Sequence, residues 1–553
     1  MDYLKLAELL FPDVDRDTEY YEAQYPPRNL KEGAAVTRFA PSPTGFVHFG
    51  GLFPVLVGER LAHQSEGVFY LRIEDTDSKR EVEGAENDII KAFESFGIKF
   101  DESVVHGGDY GPYRQSDRRP IYRCYAKKLV AEGKAYPCFC SAEELAALRE
   151  KQEAEKVIPG YYGEYVKCRD LSYEQVEENL KAGKPFVLRF KSFGSSENKV
   201  KFTDLIKGTI EITENDIDHV LLKSDGMPTY HLAHAVDDHL MHTTHVIRGE
   251  EWLPSLPYHI QLFKAFDFKL PKYLHISQLM KLAEVTEEDG SVKLVKKKLS
   301  KRDKGAGLTS YISDGYAPEC VTEYVMTLLN SNFEDWRRAN PNASLDEFKF
   351  SIKKMSASGS LFDLKKLADV SKNVLSRMSG EEVYNRLVNW TASEDKAFNA
   401  LLTADKEKAV RILSIGRGGA KPRKDFGLYS EVKGYIGFFY DEYFEQIDNI
   451  PENFSKEDIK KAIALFVESY DAKDEQSVWF DKIKAVASDI GYSPDIKAYK
   501  ANPEAFGGHV GDVSMFLRIA VTGKMNSPDM YEVMSILGKE KVVARLTAFA
   551  DKL

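Results

Sequence analysis

Short apolar runs alternate with longer amphipathic ones over the first half of this chain, and only the longer kind continues in the second. Val36–Phe39 reads as a strand, followed by a loop stiffened by Pro41 and Pro43. A helix is predicted from near His48 to about Glu66, with Gly67 as its stop signal. A second strand is expected over Val68–Ile73 and a helix over Gly84–Phe96, ending at Gly97. Strand, crossover helix and strand is the pattern of a parallel α/β sheet. From about Arg119 to Val220 the pattern changes, and Phe186–Lys191 and Lys207–Ile212 alternate like strands. The sheet is expected to resume near His219–Lys223, with Asp225-Gly226 as a tight hairpin turn. Beyond Gly315 the apolar spacing is helical nearly throughout: Pro318–Leu329, Leu361–Ala368, Asp405–Ile415, Ser455–Tyr470, Ser514–Ala520 and Pro528–Leu537.

At 553 residues the chain exceeds what one core holds, and roughly three to five domains are expected. Its 43% hydrophobic and 29% charged residues are ordinary for a globular protein. No apolar run approaches the ~18–20 residues that span a bilayer. Asp2, Glu8, Asp13, Asp15 and Asp17 give the N-terminus the wrong charge for a presequence. The five cysteines, an odd and sparse count, argue against a disulfide framework, so a cytoplasmic location is expected. The formal charge of −11 does not exclude nucleic acid, because such footprints are local. Two basic segments stand out, Lys293–Lys304 and Lys406–Lys424.

Candidate chemistry begins at the first strand end. A strand leading into a helix N-terminus offers free backbone N–H groups and a favourable dipole to phosphate, and His48 stands there before Gly50 and Gly51. The second basic feature is Lys298-Leu299-Ser300-Lys301-Arg302, in a stretch with seven basic residues among Lys293–Lys304. In that order the pair resembles two motifs of class I aminoacyl-tRNA synthetases, with His48-Phe49-Gly50-Gly51 as a variant HIGH and the lysine segment as KMSKS. Between them lie Arg72-Ile73-Glu74-Asp75-Thr76-Asp77, the stretch Leu221–Met241 and Val246-Ile247-Arg248-Gly249-Glu250-Glu251-Trp252. With these the chain resembles a bacterial-type glutamyl-tRNA synthetase from about Ala35 to its C-terminus.

That resemblance implies an α/β Rossmann-type catalytic domain with an α+β insertion that binds the tRNA acceptor end, followed by an all-α anticodon-binding region. The expected boundaries are an N-terminal extension at 1–33, the first half of the catalytic domain at 34–118, the insertion at 119–220 and the second half at 221–290. The KMSKS loop and stem-contact region follow at 291–375, and the helical anticodon-binding domain at 376–553. The implied reaction joins glutamate to ATP as glutamyl-adenylate, then passes the glutamyl group to the 3′ end of tRNA-Glu; charging of tRNA-Gln is left open. The implied ATP residues are Ala40, His48, Gly50, Gly51, Lys298, Ser300 and Lys301, with His48, Lys298 and Lys301 acting in catalysis. Magnesium is expected on the β- and γ-phosphates. The implied glutamate residues are Arg38, Ser42, Glu74, Tyr230, His234 and Arg248. Paired arginines would favour a carboxylate over an amide; the competing reading of either arginine is a structural ion pair with acids such as Glu250 and Glu251. His234 departs from the family, which commonly has asparagine at this place.

Cys138, Cys140 and Cys168 suggest a zinc site, the fourth ligand being open among Asp170, Tyr161, Tyr162 and Tyr165. The alternative is a buried set of thiols without metal. Cys124 and Cys320 read as core. The aromatic run Tyr435–Phe444 reads as a packed helix rather than a base-stacking surface, and Arg417 and Arg423 are the better anticodon candidates. The family implies a monomer, and no membrane partner is expected. Two rivals remain: a truncated relative that glutamylates a modified tRNA base, which would lack the helical tail, and a catalytically inactive synthetase-like RNA-binding paralogue, which would be expected to lose His48, Lys301 or the arginines.

Overall fold

The computed structural model describes residues 1–43, 47–77, 82, 84–286, 291–298, 307–419 and 421–553. The chain divides into two units, Met1–Thr309 with Val325–Asp363, and Ser310–Tyr324 with Leu364–Leu553.

The first unit begins with α1 (Tyr3–Leu10) and α2 (Thr18–Gln24), whose first turns are capped by the side chains of Asp2 and Asp17. Leu6, Leu10 and Phe11 are buried, with α1 packed on the helix Arg119–Ala131. The N-terminal extension is therefore part of the core of this unit. Next comes β1 (Val36–Phe39), parallel to β2 (Val68–Leu71) in the register Arg38 to Tyr70, with α3 (Leu52–Gln64) between them. α3 does not stop as predicted: Glu66, not Gly67, takes the left-handed backbone, at φ 58°. Gly67 is required for another reason, since a Cβ there would lie 1.9 Å from the carbonyl oxygen of Ala35. Strand β2 ends two residues early, and Ile73 instead bridges Arg114. α4 (Ala85–Ser95) and α5 (Arg119–Ala131) complete this half.

A separate antiparallel sheet follows, β3 (Ala135–Cys138), β4 (Val187–Phe190) and β7 (Val220–Leu222) in that order, with α6 (Ala142–Ala154) and α7 (Tyr173–Lys181) inserted. The expectation that the parallel sheet resumes at His219–Lys223 is corrected here. Strand β7 pairs with β4, because Leu222 lies opposite Leu188. The turn at Asp225-Gly226 is present: the Lys223 carbonyl accepts the Gly226 N–H at 2.9 Å and Gly226 has φ +78°. The hairpin of β5 (Lys199–Asp204) and β6 (Gly208–Thr213) packs Phe202, Ile210 and Ile212 near Tyr273.

The parallel sheet returns with α8 (Tyr230–Leu240), β8 (His245–Gly249), α9 (Leu256–Phe266) and β9 (Lys272–Ile276). Thr244, just before β8, donates its N–H to the Val36 carbonyl at 2.9 Å and so sets β8 beside β1. The hairpin of β10 (Met280–Thr286) and β11 (Val292–Lys298) leads to the second motif.

The second unit is helical, as its period predicts. Lys406–Ser414 and Lys456–Ser469 fall within a residue or two of expectation, with Asp405 and Ser455 as their N-caps. Leu361–Ala368 is corrected to Leu364–Arg377. The aromatic run is core but not one helix: Tyr429–Ile436 gives way to tight turns at Gly437–Phe439 and Asp441–Tyr443, burying Phe438, Phe439 and Tyr440. Cys124 and Cys320 are buried as expected.

Candidate active site

The carboxyl ends of the parallel strands carry most of the predicted residues, where an open α/β sheet places its ligands. His48 caps a tight turn at Phe49–Gly51 rather than starting the α-helix directly. Its Nδ1 accepts the Gly50 N–H at 2.9 Å, which puts the proton of a neutral ring on Nε2. A cleft of about 530 Å³ is lined by His48, Gly50, Gly51, Glu251, Gln278 and Lys298, so the two motifs, far apart in sequence, meet on one surface. Ala40 follows β1 directly, and Ser42, further along the same loop, is exposed. The Pro41 carbonyl in that loop accepts the Glu74 N–H at 2.9 Å. Ser300 and Lys301 lie outside the described residues.

Beside this cleft is a buried charge network. Arg38, at the end of β1, donates Nε to both oxygens of Asp238, at 3.1 and 3.2 Å. Arg72 donates to Asp238 at 2.8 Å and to Glu74 at 3.3 Å. Burial alone would raise Asp238, but Arg38 and Arg72 hold it well below the usual carboxylate range. Glu74 has the opposite balance: burial pushes it up to about 7 against the pull of the same arginines. The ion-pair reading of Arg38 is thus correct as far as it goes, with Asp238 as the partner rather than a glutamate near Arg248.

Tyr230 and His234 share one side of α8, and their rings stack with centroids 5.6 Å apart. His234 is wholly enclosed: one ring nitrogen lies 2.6 Å from Asp238 and the other 2.8 Å from the Tyr273 hydroxyl. Burial lowers it to about 4, so it is neutral at pH 7. Arg248 forms no ion pair among the described residues; Glu250 is taken by Lys207 instead. Arg248 donates to His275, His259, Tyr230 and the Trp252 carbonyl. Asp238, Arg72, His259 and His275 escaped residue-level prediction, although the clustered histidines and aspartates on α8 were a signal.

The three predicted thiols do converge, with all sulfurs within 4.8 Å of one another and Cys140 3.7 Å from Cys168. A tetrahedral zinc with Zn–S of about 2.3 Å separates its sulfurs by about 3.8 Å, so the set fits the ion. Among the four candidate oxygen ligands, Tyr161 is the one in place, its hydroxyl 3.3 Å from Cys140 and 3.6 Å from Cys138. The Asp170 side chain is 87% exposed. Hydrogen bonding from Cys168 pulls Cys138 toward the thiolate, while burial and contacts within the same cluster push Cys140, Cys168 and Tyr161 up, so the set holds one thiolate shared among its neighbours.

In the helical unit, Arg417 turns inward: Nε donates to the Leu413 carbonyl at 2.8 Å, and Nη1 to the carbonyls of Leu375 and Met378. It caps two helix ends. Arg423 pairs with Asp425 at 2.8 Å but keeps 41% of its side chain exposed.

Comparison with known proteins agrees with this layout. The profile described as "tRNA synthetases class I (E and Q), catalytic domain" matches residues 34–369. That described as "Anticodon binding domain" matches residues 428–550. The glutamate–tRNA ligase of Acetivibrio thermocellus is 50% identical, with 99% of each chain covered. That of Clostridium perfringens is 48% identical over 99% of this chain and all of its own. A crystal structure of a glutamate–tRNA ligase from Elizabethkingia meningosepticum, in complex with its amino acid, superposes with a TM-score of 0.74 at 31% identity, covering 94% of this chain and 99% of the other. No helix among the described residues is long and apolar enough to cross a membrane.

Proposed function

We propose, for a chain that belongs to the class I tRNA synthetases of the glutamate and glutamine group, the activity of a glutamate–tRNA ligase. It activates glutamate with ATP and transfers it to the 3′ end of tRNA-Glu. The observation that carries this reading is the placing of buried Arg38, Arg248 and Glu74 with the His48–Lys298 cleft at the carboxyl ends of the parallel strands. The substrate α-carboxylate is ionised near neutral pH and needs no protein base to attack the α-phosphate. What the site must supply is alignment and stabilisation of developing phosphate charge. His48 Nε2–H is the donor for phosphate oxygens at this turn, since the Gly50 and Gly51 N–H groups are taken by His48 Nδ1 and the His48 carbonyl. Lys298 brings a cation to the same cleft, and Lys301 follows it in sequence. We assign Arg38 and Arg248 to the substrate carboxylates, Glu74 to its ammonium, and Tyr230 and Ser42 to its flanks.

Magnesium would ride on ATP: among the described residues Glu251 is the acid lining the cleft, which suits an ion held mainly by phosphate and water. Zinc would be held by Cys138, Cys140, Cys168 and Tyr161, tying β3 to the 161–168 loop in a structural role away from the reacting atoms. Of the two anticodon candidates, Arg423 has surface to offer tRNA. We place the enzyme in the cytoplasm, acting as a monomer. The deciding experiment is ATP-dependent charging of separate tRNA-Glu and tRNA-Gln transcripts. Charging of tRNA-Glu alone makes the enzyme discriminating, and charging of both makes it nondiscriminating. Charging of neither returns the inactive paralogue.

A further inference from the structure

Arg248 is held unlike the other buried arginines of the site. Arg38 and Arg72 lie against Asp238, and Arg118 against Asp237. Among the described residues, every hydrogen-bond partner of Arg248 is neutral. Its Nε donates to His275 Nε2 at 2.9 Å. Nη1 meets His259 Nδ1 at 3.1 Å and the Tyr230 hydroxyl at 3.3 Å, and Nη2 meets the Trp252 carbonyl at 3.4 Å. The guanidinium lies 4.7 Å from the centre of the Tyr273 ring.

A guanidinium has donors and no acceptor, so each imidazole nitrogen facing it must carry a lone pair. That requirement fixes two tautomers: His275 must hold its proton on Nδ1, and His259 on Nε2. Both protons have acceptors. His275 Nδ1 is 2.7 Å from Asp204 Oδ2, and His259 Nε2 is 2.9 Å from His231 Nδ1. Asp204 is itself rigid, because Oδ1 accepts the N–H groups of Ile206 and Lys207 at 2.8 Å each and Oδ2 accepts that of His275 at 3.1 Å. It is buried and comes from the end of β5, so the inserted hairpin delivers the carboxylate that orders the main sheet. The parallel register sets Arg248 directly beside His275.

The arrangement aims Arg248 without neutralising it. A carboxylate in direct contact would orient the guanidinium equally well but would spend much of its attraction for a ligand. Set one imidazole away, Asp204 orders the donor geometry at a distance that screens less of the charge. We propose that Asp204 and His275 are positioning residues which, with His259, present Arg248 as an uncompensated cation to the side-chain carboxylate of glutamate, and so contribute to its selection over glutamine. The inference rests on the glutamate-binding role proposed above for Arg248.

The test is aminoacylation of tRNA-Glu by full-length enzyme, with KM for glutamate and for ATP measured separately and glutamine as competitor. In His275→Phe the acceptor is gone, and the glutamate KM rises roughly 10- to 100-fold while the ATP KM holds. His275→Gln, whose amide oxygen can stand where Nε2 stood, recovers most of the loss. Asp204→Asn, which releases the tautomer, falls between and weakens discrimination against glutamine. Folded His275→Phe or Asp204→Asn enzyme with an unchanged glutamate KM overturns the proposal, as does an equal rise in both KM values. Should His275→Phe not fold, Asp204→Asn and His275→Gln decide by the same readout. A wild-type enzyme that charges no glutamate removes the parent reading, and this inference with it.

Discussion

In its proposed role, Glu74 answers the arrival of the substrate's ammonium group. With burial raising it to about 7, a large part is protonated in the free site at neutral pH. Only the carboxylate attracts a cation, so the glutamate KM is expected to fall as pH rises from 6 to 8 and then level off. Glu74→Gln should raise the KM and flatten that profile; a wild-type KM with no slope over this range would contradict the assignment. Because the folded value lies above the ordinary one, the associated stability is present below about pH 4.5 and is lost as pH rises through 7. The histidines behave in the reverse sense. Burial holds His231 down to about 3 and His234 to about 4, so the unfolded chain takes up their protons first. Stability therefore declines as pH drops from about 6.5 toward 4, by up to ~1.4 kcal/mol per unit for each. His234→Ala also strips partners from Asp238 and Tyr273 inside the core, and urea melts should show a loss of about 2–4 kcal/mol.

Elements meet at places where one atom decides. A methyl group on Gly67 would strike the Ala35 carbonyl, where no side chain can move aside, so Gly67→Ala should cost about 3 kcal/mol or more and loosen the β1–β2 edge. At Gly97, with φ +77° and open space around a new Cβ, alanine should cost only about 1 kcal/mol. Equal losses for the two in chemical denaturation would contradict the steric account. The thiol cluster joins β3 to a loop and not to the reacting cleft. Elemental analysis of protein purified without chelator or His tag should find one zinc per chain. Removal of that zinc should lower the melting temperature more than it changes the ATP KM. Absence of zinc would leave a buried thiol cluster.

Over the whole molecule, the extension at 1–33 is the part most easily misjudged. It lies outside the matched catalytic profile, yet Leu6, Leu10, Phe11 and Tyr21 are buried, and Arg28 grips Glu102 with two hydrogen bonds at 2.6 and 2.9 Å. Deleting residues 1–33 should lower the melting temperature by many degrees or leave the enzyme insoluble; an unchanged transition would show the extension to be dispensable. Helices were legible because their signals are local: Ser455 as a cap and a 3.6-residue apolar period place Lys456–Ser469 almost to the residue. The two family motifs were legible for the same reason, being short runs with characteristic side chains. Pairing was not. Whether Val220–Leu222 joins the parallel sheet or a separate antiparallel one depends on Val187–Phe190, a strand more than thirty positions earlier. Sequence by itself determined the family, the order of strand and helix, and which residues are proposed for ATP and glutamate. Only the tertiary structure decided that Arg38 would share Asp238, 200 residues away, that Arg417 would turn inward, and that Arg248 would stand among neutral imidazoles. Desolvation, tautomer and charge compensation are set by neighbours in space, and a linear chain does not specify which those are until it is packed.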